Sequence, residues 1–144
     1  MTSSSHAAVA ALLDRYLIGL DSDVLDDAWT ASLFTEDAEV GFPPGVRHVG
    51  RVGLSGFHRT AMDAFAGTQH LNSPAVVEFD GDRARIRCNL ISTHVHHADP
   101  QGAEHPVFAA GTFLEGAARL TEDGWRLSVL DFRLVWSTGS PKVA

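Results

Sequence analysis

Among the residues whose types can move protons between heavy atoms, Asp21, His70 and His94 stand out by their positions. Asp21 lies in GLDSDVLDDAW, where an apolar helical stripe gives way to turn residues. A carboxylate at that end of a helix opposes the helix dipole, and an isolated Asp in such a turn is usually just solvated. His70, in TQHLNSP, opens an alternating stretch that places Asn72 on the same face. A carboxylate bound to one imidazole nitrogen fixes the tautomer and stabilises the imidazolium, which makes an Asp–His pair an effective general base near neutral pH. By itself a strand His followed by Asn is more often structural, so the chemistry depends on whether the fold brings positions 21 and 70 together.

His94 closes the strand pattern ARIRCNLISTHVHH. Period-two alternation puts Ile86, Cys88, Leu90, Ser92, His94 and His96 on one face, with Arg85, Arg87, Asn89, Thr93 and Val95 on the other. The first face is apolar in its middle and polar from Ser92 onward, the pattern of a strand that packs in a core and then lines a pocket. His96 and His97, near the end, are expected to be exposed. His94 and His96 could chelate a metal, but a third ligand would have to come from Asp21 or His70, and no helical H-E-x-x-H occurs, so no metal is expected. Nucleophilic catalysis lacks a G-x-S-x-G elbow, and Cys88 falls mid-strand on an apolar face that disfavours a thiolate. On the last strand Arg133 shares a face with Asp131, so the default is a partly exposed ion pair between them. The functional alternative makes Arg133 an anchor for a substrate oxygen.

The elements that must position these residues are legible. Val9, Leu12, Leu13, Tyr16, Leu17 and Leu20 recur at helical spacing, predicting a helix from Ser5 to about Leu20 with Ser4 or Ser5 as its cap. Leu25, Ala28, Trp29 and Leu33 predict a second, shorter helix. FTEDAEVGFPPG reads as turn chemistry with a short extended piece, a loop over the surface or across a pocket mouth. Val52, Phe57, Met62 and Phe65 predict a third helix ending at Gly67. Period two then predicts strands at 69–79, 83–97, 107–120 and 125–136, with the Asp-Gly pairs of FDGDR and TEDGW marking tight hairpins and HHADPQGAEHP a longer connection. The expectation is an α+β domain: three N-terminal helices packed in a curved, largely antiparallel sheet that encloses a pocket.

Composition narrows the function. The 144 residues fit one domain, with residues 7–136 as its core. Eleven Lys and Arg against 18 Asp and Glu give a net charge of -7, and no cationic stripe is present for phosphates, so nucleic acid is not an expected partner. No apolar run approaches the ~20 residues of a membrane span, and the N-terminal stretch lacks a basic start and is broken by Asp14 and Arg15, so it is not expected to be a signal peptide. The single Cys fits a reducing cytoplasm.

The ordered strings W-x-x-x-LFTEDA, QHLN, DGDRA and GWRL, with an Asp after the first helix and a His ending a long strand, cover about Ala7 to Trp136. In this the chain resembles the SnoaL-like branch of the nuclear transport factor 2-like superfamily, which includes scytalone dehydratase, polyketide cyclases, bile-acid dehydratases and ketosteroid isomerase. The resemblance implies a cone-shaped roll and an acid/base set at Asp21, His70 and His94. It also implies a cofactor-independent lyase or isomerase acting on a hydrophobic oxygenated molecule such as a polyketide or steroid. In that scheme His70 abstracts a proton next to a carbonyl, Asp21 orients it and His94 delivers a proton. Family tyrosines correspond to Leu20 and Phe113 here, so substrate contacts are expected from Asn72, Ser92, Phe113 or Arg133. A homodimer or homotrimer covering the outer sheet face is expected. Two alternatives remain: a water-activating hydrolase, and a non-catalytic binding or scaffold subunit. Catalysis requires Asp21 and His70 within hydrogen-bond reach and facing a cavity.

Overall fold

The computed structural model of the protein describes residues 2–97 and 106–141. Its first helix, α1 (Ser3–Ser22), starts two residues earlier than the periodicity suggests, because Thr2 supplies the cap by accepting the Ser5 N–H. It also runs on past Leu20, closed by the Asp23 N–H donating to the Gly19 carbonyl, so Asp21 lies in its last turn. α2 (Asp27–Leu33) is capped by Asp26, whose carboxylate accepts the Trp29 N–H.

The segment expected as a loop is instead a nine-residue strand, β1 (Phe34–Phe42), with only Pro43–Pro44–Gly45 turning before β2 (Val46–Val49). β1 lies parallel to the last strand, a pairing between distant segments that short-range patterns do not reveal. α3 (Leu54–Asp63) stops short of Gly67. Then come β3 (Gly67–Asn72), β4 (Val76–Asp80), β5 (Arg83–Val95), β6 (Val107–Thr121) and β7 (Gly124–Thr138). The strand expected at 69–79 is thus broken in two at Pro74, which has no N–H for a ladder. The HHADPQGAEHP connection falls largely on residues 98–105, outside the described residues.

Seven strands form one mixed sheet in the order β2-β1-β7-β6-β5-β3, with β4 also paired to β5. Burial alternates strictly along β5, so the sheet has an inner face toward the helices and an outer face. Ile86, Leu90, Leu114, Leu127 and Leu130 on the inner face meet Val9, Leu12, Leu13 and Leu17 of α1 in the core. Tyr16, Trp29, Phe34, Phe42, Phe57 and Phe132 form an aromatic cluster where α1, α2 and α3 approach β1 and β7. Among the described residues no helix is long and apolar enough to cross a bilayer.

Candidate functional site

β3 is an edge strand, so every second backbone N–H points away from the sheet and lacks a ladder partner. At His70 that N–H donates to Asp21 Oδ2 at 2.8 Å, and the His70 ring Nδ1 donates to Asp21 Oδ1 at 2.6 Å. Thr68 Oγ1 donates to the same Oδ1 at 2.9 Å. Three donors therefore hold a carboxylate that the helix dipole alone would disfavour. The side chains are enclosed, with His70 4% and Asp21 16% exposed. With Nδ1 carrying the proton, His70 Nε2 is left with a lone pair and no partner among the described residues.

β3 pairs with β5 so that Thr68 faces His94 and His70 faces Ser92. Because the His70 N–H points to α1, the His70–Ser92 pair is of the non-hydrogen-bonded kind, whose Cα atoms approach to about 4.5 Å. The His94 ring meets the His70 ring edge to face at 5.8 Å and lies between Phe65 and Phe108, at 4.6 and 5.1 Å. Its Nδ1 donates to the Phe108 carbonyl at 3.1 Å. Burial pushes the His94 pKa down, and the Phe108 hydrogen bond opposes this only in part. His94 is therefore neutral near pH 7 and presents an accepting Nε2, not a proton to deliver.

The remaining expectations divide. Ser92 is buried beside His70, and no protein group among the described residues hydrogen-bonds its hydroxyl. Asn72 is on the same face but is tied to Asp14 Oδ1 at 3.0 Å and to the Ser73 carbonyl. Phe113 and Arg133 are register partners on the outer face, with the Arg133 guanidinium 4.9 Å from the Phe113 ring centre, so they do not join the cluster. Nor does Arg133 pair with Asp131: Arg133 reaches Glu115 and Arg47 takes Asp131. His96, expected at the surface, is buried with Nε2 on the Ser140 carbonyl at 2.7 Å, while exposed His97 contacts the Asp63 carbonyl. Burial raises the Cys88 thiol to about 11, with Asp14 adding to the shift, so Cys88 stays protonated.

Sequence reasoning missed two features. Thr68 shares a face with His70 by period two and was findable. The second is a buried pair in which Tyr16 donates its hydroxyl to His58 Nε2 at 2.8 Å, while His58 Nδ1 donates to the Leu54 carbonyl. Tyr16 falls within the apolar stripe of α1, which hides its phenol from a reading by periodicity. Both residues are fully buried, and burial lowers the His58 pKa to about 4 and raises the Tyr16 pKa. Thr112 Oγ1 is also buried, and it has no hydrogen-bond partner among the described residues, a state that costs about 1–3 kcal/mol when nothing fills it.

Two clefts open nearby. One of about 530 Å³ lies between α3 and the β1–β2 hairpin, walled by Phe42, His48, Phe57 and Thr60. The other, about 480 Å³, runs past Phe42, Phe132 and Leu134. Neither includes Asp21, His70 or His94, so the acid–base reading rests on their hydrogen-bond geometry. The second cleft reaches Leu134, the register partner of Thr112.

A profile of the SnoaL-like domain matches residues 1–131. The fold is shared with the Kfla4162 protein from Kribbella flavida at 23% identity and a TM-score of 0.86, covering 94% of each chain. A protein provisionally assigned as a scytalone dehydratase, from Novosphingobium aromaticivorans, matches at 19% identity and a TM-score of 0.79, over 96% of this chain and 92% of that one. A type 2 hexachlorocyclohexane dehydrochlorinase matches at 18% and 0.79, over 94% and 88%. No curated protein matches the chain in sequence.

Proposed function

The chain belongs to the SnoaL-like domain family, and from that premise we propose that it is a cofactor-independent lyase or isomerase acting on a hydrophobic, oxygenated small molecule. One observation carries the reading: the Asp21 carboxylate binds both the ring Nδ1 and the backbone N–H of His70, leaving Nε2 as a fixed base. His70 Nε2 takes a proton from a carbon next to a carbonyl, and the C–H electron pair moves onto the carbonyl oxygen as an enolate. In a dehydration the enolate expels a β-hydroxyl group, and the proton on His70 leaves with it as water. In an isomerisation the proton returns to a different carbon. Either route balances without an electron donor or acceptor, and both rely on one histidine acting as base and then acid. Neutral His94 serves this scheme by accepting a hydrogen bond from the substrate hydroxyl.

The names of two structural neighbours, a dehydratase and a dehydrochlorinase, both describe eliminations, which supports this class of reaction. A non-catalytic binding subunit is the second reading, favoured by the absence of the dyad from both described clefts. The experiment that separates them is turnover of a panel of cyclic β-hydroxy ketones by wild type, Asp21→Asn and His70→Ala, with melting temperature measured alongside. Loss of turnover at unchanged melting temperature supports the dyad. Turnover unaffected by either substitution refutes it.

A further inference from the structure

The Asp21–His70 pair is shut off from solvent as it stands. The His70 side chain is 4% exposed, and Ser92 and His94 on β5 are 6% and 8% exposed. A base must come within hydrogen-bond reach of the proton it abstracts, so one of the groups closing the site has to give way before it can act.

The inner row of β5 puts those groups in order. His70 faces Ser92 and Thr68 faces His94, so His94 stands one inner-row step nearer the end of the strand, its ring 5.8 Å from that of His70. The next ring outward is Phe65, 4.6 Å from His94 and 5.5 Å from His96. From the end of β5 inward the rings therefore run Phe65, His94, His70. Phe108, the other aromatic against His94, is held in the β5–β6 ladder as the register partner of His94.

Phe65 differs from that wall because it lies in the short connection from α3 to β3. Asp63, Ala64, Ala66 and Gly67 are all exposed there, and only Phe65 turns inward. The backbone on both sides of it is tied: the Phe65 N–H donates to the Met62 carbonyl at 3.1 Å and the Ala66 N–H to the Val95 carbonyl at 2.8 Å, while His97 Nε2 donates to the Asp63 carbonyl at 3.0 Å. Rotation of the Phe65 side chain is the motion left to this corner. A Cβ added at Gly67 would meet nothing within 4 Å, so there is room beside the corner.

We infer that Phe65 is the gate of the Asp21–His70 pair. With its ring on His94 and His96 the site is shut; with the ring swung out, the His94 face and the His70 ring behind it are open to an incoming molecule. Entry is at the α3–β3 corner, away from both described clefts, whose lining residues do not include Phe65. The gate's use in catalysis rests on the acid–base reading of His70, but the gate itself is a matter of packing.

The test reads accessibility, so a protein without turnover still returns an answer on Phe65. Diethyl pyrocarbonate acylates an unprotonated imidazole nitrogen, and His70 and His94 each have Nδ1 engaged, leaving Nε2 as the nitrogen to be reached. Its rate at each histidine is followed by mass spectrometry for wild type, Phe65→Ala and Phe65→Leu. Exposed His6 serves as the open reference and fully buried His58 as the closed one. In wild type His70 and His94 should react far more slowly than His6. Phe65→Ala should speed both by about 10-fold or more, the factor expected when a state populated at a few per cent becomes the resting state, with His6 and His58 unchanged. Wild-type rates at His70 and His94 equal to that at His6, or no acceleration in Phe65→Ala, would overturn the assignment. If Phe65→Ala also makes His58 reactive, the smaller change Phe65→Leu is read in the same way, and an acceleration still shared with His58 would show that Phe65 holds the fold and is no gate.

Discussion

Asp21 grips His70 at two points, with one carboxylate oxygen on the ring Nδ1 at 2.6 Å and the other on the backbone N–H at 2.8 Å. The helix end and the strand edge are thereby locked together by the group that sets the tautomer. Asp21→Asn keeps the shape but offers an amide that can donate to Nδ1, which moves the imidazole proton to Nε2 and blocks it as a base. The expected outcome is a fall in kcat of roughly 10²–10⁴ with KM little changed. Steady-state kinetics on a β-hydroxy ketone checks it, and a change confined to KM would contradict the orienting role.

His58 supplies an acid sensitivity that is separate from the site. Its folded pKa is about 4 against an ordinary value of 6.5, because burial between Tyr16 and the α3 backbone disfavours the imidazolium. Below about pH 6.5 the unfolded chain takes up a proton that the folded chain refuses, so the unfolded state binds more protons and stability falls as pH falls. The loss builds between pH 6.5 and 4 and is on the order of 3 kcal/mol at its end. His58→Gln removes the titration while retaining a donor and an acceptor. Chemical denaturation from pH 7 to pH 4 should show a pH slope shallower by about one proton in the variant; parallel slopes would place the acid sensitivity elsewhere.

Much of this arrangement is legible in the sequence, and the parts that are not have physical causes. Period two assigned Ser92 and His94 to the inner face of β5 because a strand buried on one side must alternate. Asp21 and His70 could be nominated from residue type, but their meeting depends on α1 packing along the edge of β3, a tertiary event. β1 was missed because FTEDAEVGF mixes charged and apolar residues, and its pairing with β7 joins segments roughly ninety positions apart in the sequence. Arg133 is a candidate substrate contact by its chemistry, and Phe113 only by its correspondence to a family tyrosine. Phe113 pairs in register with Asn89 and Arg133 on the outer face, which a face count anchored on buried Leu114 shows. Tyr16 and His58 were lost because a helical stripe of apolar residues absorbs a tyrosine without comment.

Gly19 gives a prediction whose sign runs against helix propensity. Replacing a mid-helix glycine by alanine ordinarily gains up to about 1 kcal/mol. Here a Cβ would lie 2.6 Å from Trp29 Nε1, and the indole is buried and stacked on Tyr16 at 5.7 Å, with little freedom to yield. Gly19→Ala is therefore expected to destabilise the protein by about 1–3 kcal/mol. Urea denaturation decides it, and a stabilised variant would mean that Trp29 repacks freely.

The outer sheet face carries the last prediction. Leu71, Ile91, Gly111 and Trp136 are consecutive register partners across β3, β5, β6 and β7, and the Trp136 indole lies over the bare Gly111 backbone. Leu71, Ile91 and Trp136 are each about half exposed or more, and Val95 and Val107 extend the patch, which is more contiguous apolar surface than isolated exposed side chains account for. Arg133, Glu115 and Arg85 border it with an ion pair network suited to a polar rim. We expect the protein to self-associate through this face as a homodimer, with a homotrimer as the other closed arrangement. Ile91→Asp places a charge at the centre of the patch without touching the inner face that holds His70. Sedimentation equilibrium should show an oligomer for wild type and a monomer for Ile91→Asp at the same melting temperature within a few degrees. A wild-type monomer at tens of micromolar would instead leave the patch to a different partner.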